Sequence, residues 1–141
     1  MSLTAALSDE SKRNKVVDEC VDLVDDEVKK KGGLGGMVIK AGYKAVKGIK
    51  PGFIRSTVNA LLDSWATELD PIWAEGGDNP RKHLEGQKSR VADALLKVTD
   101  DRAKSTSHKI VRSSYEKLRP TAKKHVEEAV PGLAGLLERN L

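Results

Sequence analysis

Apolar residues recur at three- and four-residue intervals along most of the chain. Val17, Cys20, Val21, Val24 and Val28 mark one face of a first helix. Val16 and Leu23 widen that face, while Asp18, Asp22, Asp25 and Lys29 lie on the other side. Ser8 or Ser11 suits its N-cap, with Asp9 and Glu10 near the positive end of the helix dipole. Lys29, Lys30 and Lys31 fall at its negative end and Gly32 stops it. The β-branched valines lower its intrinsic propensity, so tertiary contacts must hold it. Residues 1–10 read as a flexible lead, and Gly32–Gly36 as a flexible link.

A second helix is predicted from Met37 to about Lys47. Met37, Ala41, Ala45 and Ile49 form its apolar side with Val38, Gly42 and Val46, and Lys40, Lys44 and Lys47 face away. Small residues on the apolar side invite close approach of another helix. A third helix carries Ile54, Val58, Leu61, Leu62, Trp65 and Leu69 on one face. Asp70-Pro71 reads as a cap and first-turn proline, with Ile72–Ala74 a short turn or kinked continuation. Gly76–Asn79 is a loop, and Asn79-Pro80 starts the next helix.

From 80 to 119 two apolar stripes occur, Leu84, Val91, Leu95 and Val98, then Ile110, Val111, Tyr115 and Leu118. Nothing strongly apolar lies between Ala103 and Ile110, and Ser105-Thr106-Ser107 favours a break there over one continuous helix. Pro120 is expected to start a further helix to about Val130. Pro131-Gly132 is expected to set off a tail helix, 131–141, with Leu133, Leu136 and Leu137. No segment alternates as a strand does. The expected fold is all-α, a single-domain bundle of five to six helices without a sheet.

Composition narrows the class further. The chain has 141 residues, 38% apolar, 33% charged and 4% aromatic. That length fits one domain able to fold without staples. A lone cysteine, Cys20, permits no intrachain disulfide and fits a reducing compartment. The polar N-terminal stretch lacks the apolar core of a signal peptide, and no apolar run is long enough to span a bilayer. The expected location is the cytoplasm.

Charge is unevenly placed. The net charge of +4 hides a +5 block over residues 32–59, which has no acid, and a −5 block over residues 60–80, which has no base. Residues 81–119 add +6. Neighbouring blocks of opposite sign suggest helices that attract one another. A nucleic-acid face would be more uniformly basic. Lys40, Lys44 and Lys47 form the best stripe for an anion or nucleic acid, and Arg81, Lys82, Lys88 and Arg90 a second. Few aromatics remain to stack on bases.

Tests for chemistry return little. The glycines of 32–36 lack the spacing of a dinucleotide fingerprint and follow a helix rather than a strand, and no Gly-Lys-Ser/Thr is present. His83, His108 and His125 are scattered, without HExxH or CxxC. Asp18, Asp22 and Asp26 share a helical face, which reads as a solvated stripe rather than a cation site. Cys20 sits on an apolar face and reads as an inert buried thiol. No catalytic residue, cofactor site or metal site is assigned.

Both tryptophans fall within nine residues, Trp65 and Trp73. With Leu69, Asp70 and Ile72 they make the candidate pocket or interface, an apolar cluster holding one carboxylate. Filling of the core around the Pro71 turn is the alternative.

The string GGLGGMVIKAGYKAVKGIKPG, followed by LDPIWAE, resembles a family of small uncharacterised helical proteins of bacteria. The resemblance covers mainly residues 16–76. It implies a helical fold and a bacterial cytosolic origin, and it brings no catalytic residue with it. The functional expectation is a non-enzymatic interaction or scaffold protein, self-associating through an apolar helix face or the tail at 133–141. A carrier of a small apolar ligand near Trp65 and Trp73 stands second. Weak nucleic-acid binding stands third.

Overall fold

The computed structural model describes residues 2–141, and Met1, part of the expected flexible lead, lies outside the described residues. Among these residues there are helices and no strands. The helices are α1 (Leu3–Ala6), α2 (Glu10–Lys30), α3 (Gly33–Lys47), α4 (Phe53–Glu75), α5 (Pro80–Gly86), α6 (Lys88–Ser105) and α7 (Lys109–Asn140). The all-α expectation holds, with seven helices in place of five to six.

Four of them form a closed ring. α2 packs on α4, α4 on α6, α6 on α7 and α7 on α2. Ion pairs between the helices give their direction. Arg13 meets Asp63 at 2.6 Å and Arg55 meets Asp18 at 2.8 Å, so α2 and α4 run antiparallel. Arg90 with Glu75 and Lys97 with Glu68 do the same for α4 and α6. Arg119 with Asp100 and Lys123 with Asp93 orient α6 against α7. Lys31 with Glu128 and Arg139 with Glu19 close the ring between α7 and α2. The result is an up-down-up-down four-helix bundle in chain order. α3 is an excursion at one end, packed on α7, α2 and α4, and α5 bridges α4 and α7 at the other.

Local chemistry sets most boundaries. Asp9, rather than Ser8 or Ser11, caps α2 by accepting from Lys12 N at 3.1 Å. Asn79 caps α5 through Lys82 N at 3.2 Å, with Pro80 in the first turn as expected. The break expected at 105–107 separates α6 from α7, where Thr106 turns extended and its hydroxyl accepts from His108 N. A second break, at Gln87 between α5 and α6, has no proline but follows Gly86, the last residue of α5.

Of three expectations based on proline, the continuation past Pro71 holds, and the helix starts at Pro120 and Pro131 fail. Pro71 lies inside α4, and Pro120 and Pro131 inside α7, which therefore runs for 32 residues, or about 48 Å. An interior proline removes one backbone bond and costs ~3 kcal/mol. At Pro71 and Pro131 burial on both sides offsets it. Leu69 and Ile72 flank Pro71, and Val130 and Ala134 flank Pro131, all at most 3% exposed. The expected separate tail is thus the end of α7, and Ala134, Gly135, Leu136 and Leu137 are buried.

The N-terminal residues also depart from expectation. Leu3, Ala6 and Leu7 are buried in the main core, so residues 3–7 are docked rather than flexible. Asp70 holds them: its carboxylate accepts from Leu3 N at 2.5 Å and from the Thr4 hydroxyl at 2.7 Å. The aspartate expected to cap a helix after Pro71 instead serves the N-terminus of α1, 66–67 residues away in sequence. The glycines of 32–36 are no free link either, since α3 begins at Gly33. Gly36 passes so close to Lys31 that a Cβ would lie 2.6 Å from its carbonyl carbon. At the α4–α5 turn, a Cβ on Gly76 would lie 2.4 Å from Pro80 Cα.

Chemical denaturation tests both features. Leu3→Ala should cost about 2–5 kcal/mol, because Leu3 is fully enclosed, and Asp70→Ala about 0.5–2 kcal/mol through the lost cap. Gly76→Ala should destabilise by about 1–3 kcal/mol, because backbone must move to admit the methyl group.

Candidate functional site

The axis of the four-helix ring is not filled. A cavity of about 320 Å³ lies there, with walls from α2, α4, α6 and α7 and Ile39 of α3. It opens to solvent on one side, and its walls are almost wholly apolar. It lies within the range typical of small-molecule sites, about 300–1,000 Å³.

Each wall is the inward stripe of an amphipathic helix. α2 supplies Cys20, Leu23, Val24 and Val28. α4 supplies Val58 and Trp65, and α6 supplies Leu95, Leu96 and Thr99. α7 supplies Val126, Ala129, Val130 and Leu133, spaced three and four apart. Val24 lines the cavity and is also exposed, so the cavity opens beside α2.

Hydrogen bonds fix the polar parts of the wall. The Trp65 indole N–H donates to Leu95 O at 3.2 Å, tying α4 to α6. The Thr99 hydroxyl lies 2.8 Å from the Tyr115 hydroxyl, which donates to Asp100 at 2.5 Å. Burial pushes the Cys20 thiol up to about 12, so it stays protonated and unreactive at neutral pH.

A charged cluster borders the cavity and turns almost no polar surface into it. Lys31, with a side chain only 8% exposed, places Nζ 3.0 Å from Glu128 and 3.6 Å from Glu27. Beside them, His125 Nδ1 is buried and makes no hydrogen bond, standing 3.8 Å from Glu128. Burial, and then the nearby Lys31 charge, push the imidazole below its ordinary value, so it is neutral at pH 7. An unpartnered buried ring nitrogen forfeits a hydrogen bond.

The candidate pocket read from sequence comes together only in part. Trp65 is in the cavity wall. Leu69 and Ile72 are core residues at 3% and 2% exposure, and Trp73 packs half-buried against that core, outside the cavity. Asp70 is engaged with α1. The tryptophans are eight residues apart on α4, about 12 Å along its axis, so they do not share a site. The α7 wall was hidden because Pro131 reads as a break through the middle of its stripe.

Lys40, Lys44 and Lys47 do lie together on α3, at the end of the bundle. Lys47 is engaged, 3.8 Å from Asp25 and 5.3 Å above the Tyr43 ring. Among the described residues no three His, Cys, Asp or Glu side chains converge to hold a metal. Asp18, from the acidic stripe, takes up Arg55 instead.

Residues 3–141 match a family of unknown function (DUF6918). The chain belongs to that family. No curated protein and no solved structure matches it. The family therefore spans the whole bundle, beyond the 16–76 stretch that carried the resemblance, and no activity comes with it. Among the described residues, no helix is long and apolar enough to cross a membrane.

The His125 environment makes a signed prediction. Its lowered value means that the unfolded chain binds the proton more readily, so stability falls as pH drops through the ordinary imidazole range. Urea titrations at about pH 7 and 5 should show wild type losing more stability than His125→Gln over that interval.

Proposed function

We propose that this protein is a non-enzymatic binding protein that holds a small apolar or amphipathic molecule in the axial cavity of its bundle. The observation that carries the reading is the unfilled, apolar-walled space of about 320 Å³ between α2, α4, α6 and α7. Apolar surface left unburied there gains stability when a ligand covers it. The walls offer almost no polar surface, which supports a largely apolar ligand.

Self-association through the tail loses its support, because the apolar side chains of 133–137 are turned to other uses in the core and cavity wall. Nucleic-acid binding through Lys40, Lys44 and Lys47 is also weakened, since Lys47 is engaged and the surface beside Lys40 and Lys44 is apolar. An interaction role keeps one support, the exposed side of α3.

The neutral fluorophore N-phenyl-1-naphthylamine tests the cavity. In Trp73→Phe the remaining indole, Trp65, lies in the cavity wall and reports occupancy. Saturable binding with a change in Trp65 emission is expected. Ala129→Phe, which places a ring in the cavity, should weaken binding at least about tenfold while leaving helical circular dichroism unchanged. No binding to wild type, or equal binding to Ala129→Phe, overturns the reading.

A further inference from the structure

α3 presents an apolar surface to solvent. Leu34 is 83% exposed, Met37 67% and Val38 50%, and Ala41 and Ala45 continue the stripe along the same side. This departs in part from the face expected from sequence: Met37, Val38, Ala41 and Ala45 lie outside, while Gly42 and Val46 stay on the inner side. The side turned inward carries Gly36, Ile39, Gly42, Tyr43 and Val46, and Gly42 lies against Leu118 of α7. Most large apolar side chains exposed elsewhere stand singly, as is ordinary on a protein surface. Three large ones within five residues of one helix do not.

The electrostatic setting of this stripe is one-sided. At 100° per residue, Lys40 and Lys44 border it on one flank. Lys117 of α7 borders the shallow groove on its other flank, beside Val38, Ala41 and Ala45. Residues 32–59 contain no acid. The fold brings to the same end a second acid-free stretch, 102–115, with Arg102, Lys104, Lys109 and Arg112. Four of the five acids of the −5 block are engaged away from α3: Asp63 with Arg13, Glu68 with Lys97, Glu75 with Arg90, and Asp70 with α1. The acid that α3 does meet, Asp25, is taken up by Lys47 and Tyr43.

We propose that the outer side of α3 docks on an anionic lipid surface, Leu34, Met37 and Val38 entering the interface and Lys40, Lys44 and Lys117 meeting headgroup phosphates. Exposed bulky residues flanked by lysines are what interfacial binding uses, apolar burial and charge attraction acting together. A second copy of the chain fits less well. It would oppose lysine to lysine, and five side chains, two of them alanines, fall short of the about 800 Å² per partner of a stable interface. The inference does not depend on the axial cavity being occupied.

Vesicle co-sedimentation tests it, with the full chain and two vesicle types, phosphatidylcholine alone and phosphatidylcholine mixed with phosphatidylglycerol. Binding is expected only to the mixed vesicles, and it should weaken as salt rises. Lys40→Gln and Lys44→Gln should each weaken it about fivefold. Leu34→Glu with Met37→Glu should abolish it while circular dichroism and thermal midpoint stay at wild-type values, because both side chains are already in water. Equal binding to both vesicle types, binding to neither, or unchanged binding by the double glutamate variant overturns the proposal. So does light scattering that shows a dimer dissociated by Leu34→Glu, or salt-sensitive binding of duplex DNA in place of vesicles.

Discussion

Four amphipathic helices can remove their apolar stripes from water only by facing one another, and in this chain the closed antiparallel ring of α2, α4, α6 and α7 does so. Its demand on α7 is the most severe. That helix meets both of its ring neighbours along its length and also supports α3 and α5. Breaking it at Pro120 or Pro131 would free one backbone constraint and lose apolar contact on several sides. Burial of Val130, Ala134, Leu136 and Leu137 outweighs the missing hydrogen bond. The same reasoning applies at Pro71 in α4.

The ring also creates its own vacancy. With little aromatic mass in the chain, the side chains turned toward the axis are mostly valine, leucine and alanine, and they do not meet in the middle. The larger rings sit at the margins. Trp65 reaches the wall, Trp73 packs on the core near α5, and Phe53 stacks edge-on against His108 at the opposite end, with centroids 5.2 Å apart. The low aromatic fraction and the cavity are thus two views of one physical fact. α3 joins this axial space to the outer surface, since Ile39 on its inner side belongs to the cavity wall while Leu34 and Met37 stand in solvent.

Charge follows the ring as well. Most of the acids of 60–80 clasp neighbouring helices, and the Arg90 guanidinium holds the Glu75 carboxyl down at about 2. These exposed pairs fix helix register more than they add stability. Their arrangement leaves the basic stretch of α3 largely without counter-charges. Of the opposed blocks seen along the chain, the acids of 60–80 pair with the following basic block, through Glu75 with Arg90 and Glu68 with Lys97, whereas among the described residues no ion pair joins them to the preceding basic block at 32–59.

Periodicity by itself determined the helical class, the inward stripes of α2, α4 and α6, the Asn79-Pro80 start and the break before α7. These rest on local geometry, the 3.6-residue repeat and the hydrogen bonding of caps. The prolines and glycines were legible as residues with special backbones but not in their outcome. Whether Pro131 ends a helix depends on what Val130 and Ala134 bury against, and whether Gly33–Gly36 is loop or helix depends on the chain folding back on Lys31. Asp70 was legible as a cap, yet which helix it caps was decided by contact across 66–67 residues. The face that α3 turns outward and the cavity behind it likewise belong to tertiary structure, because each depends on how far apart the packed helices stand rather than on the order of residues along any one of them.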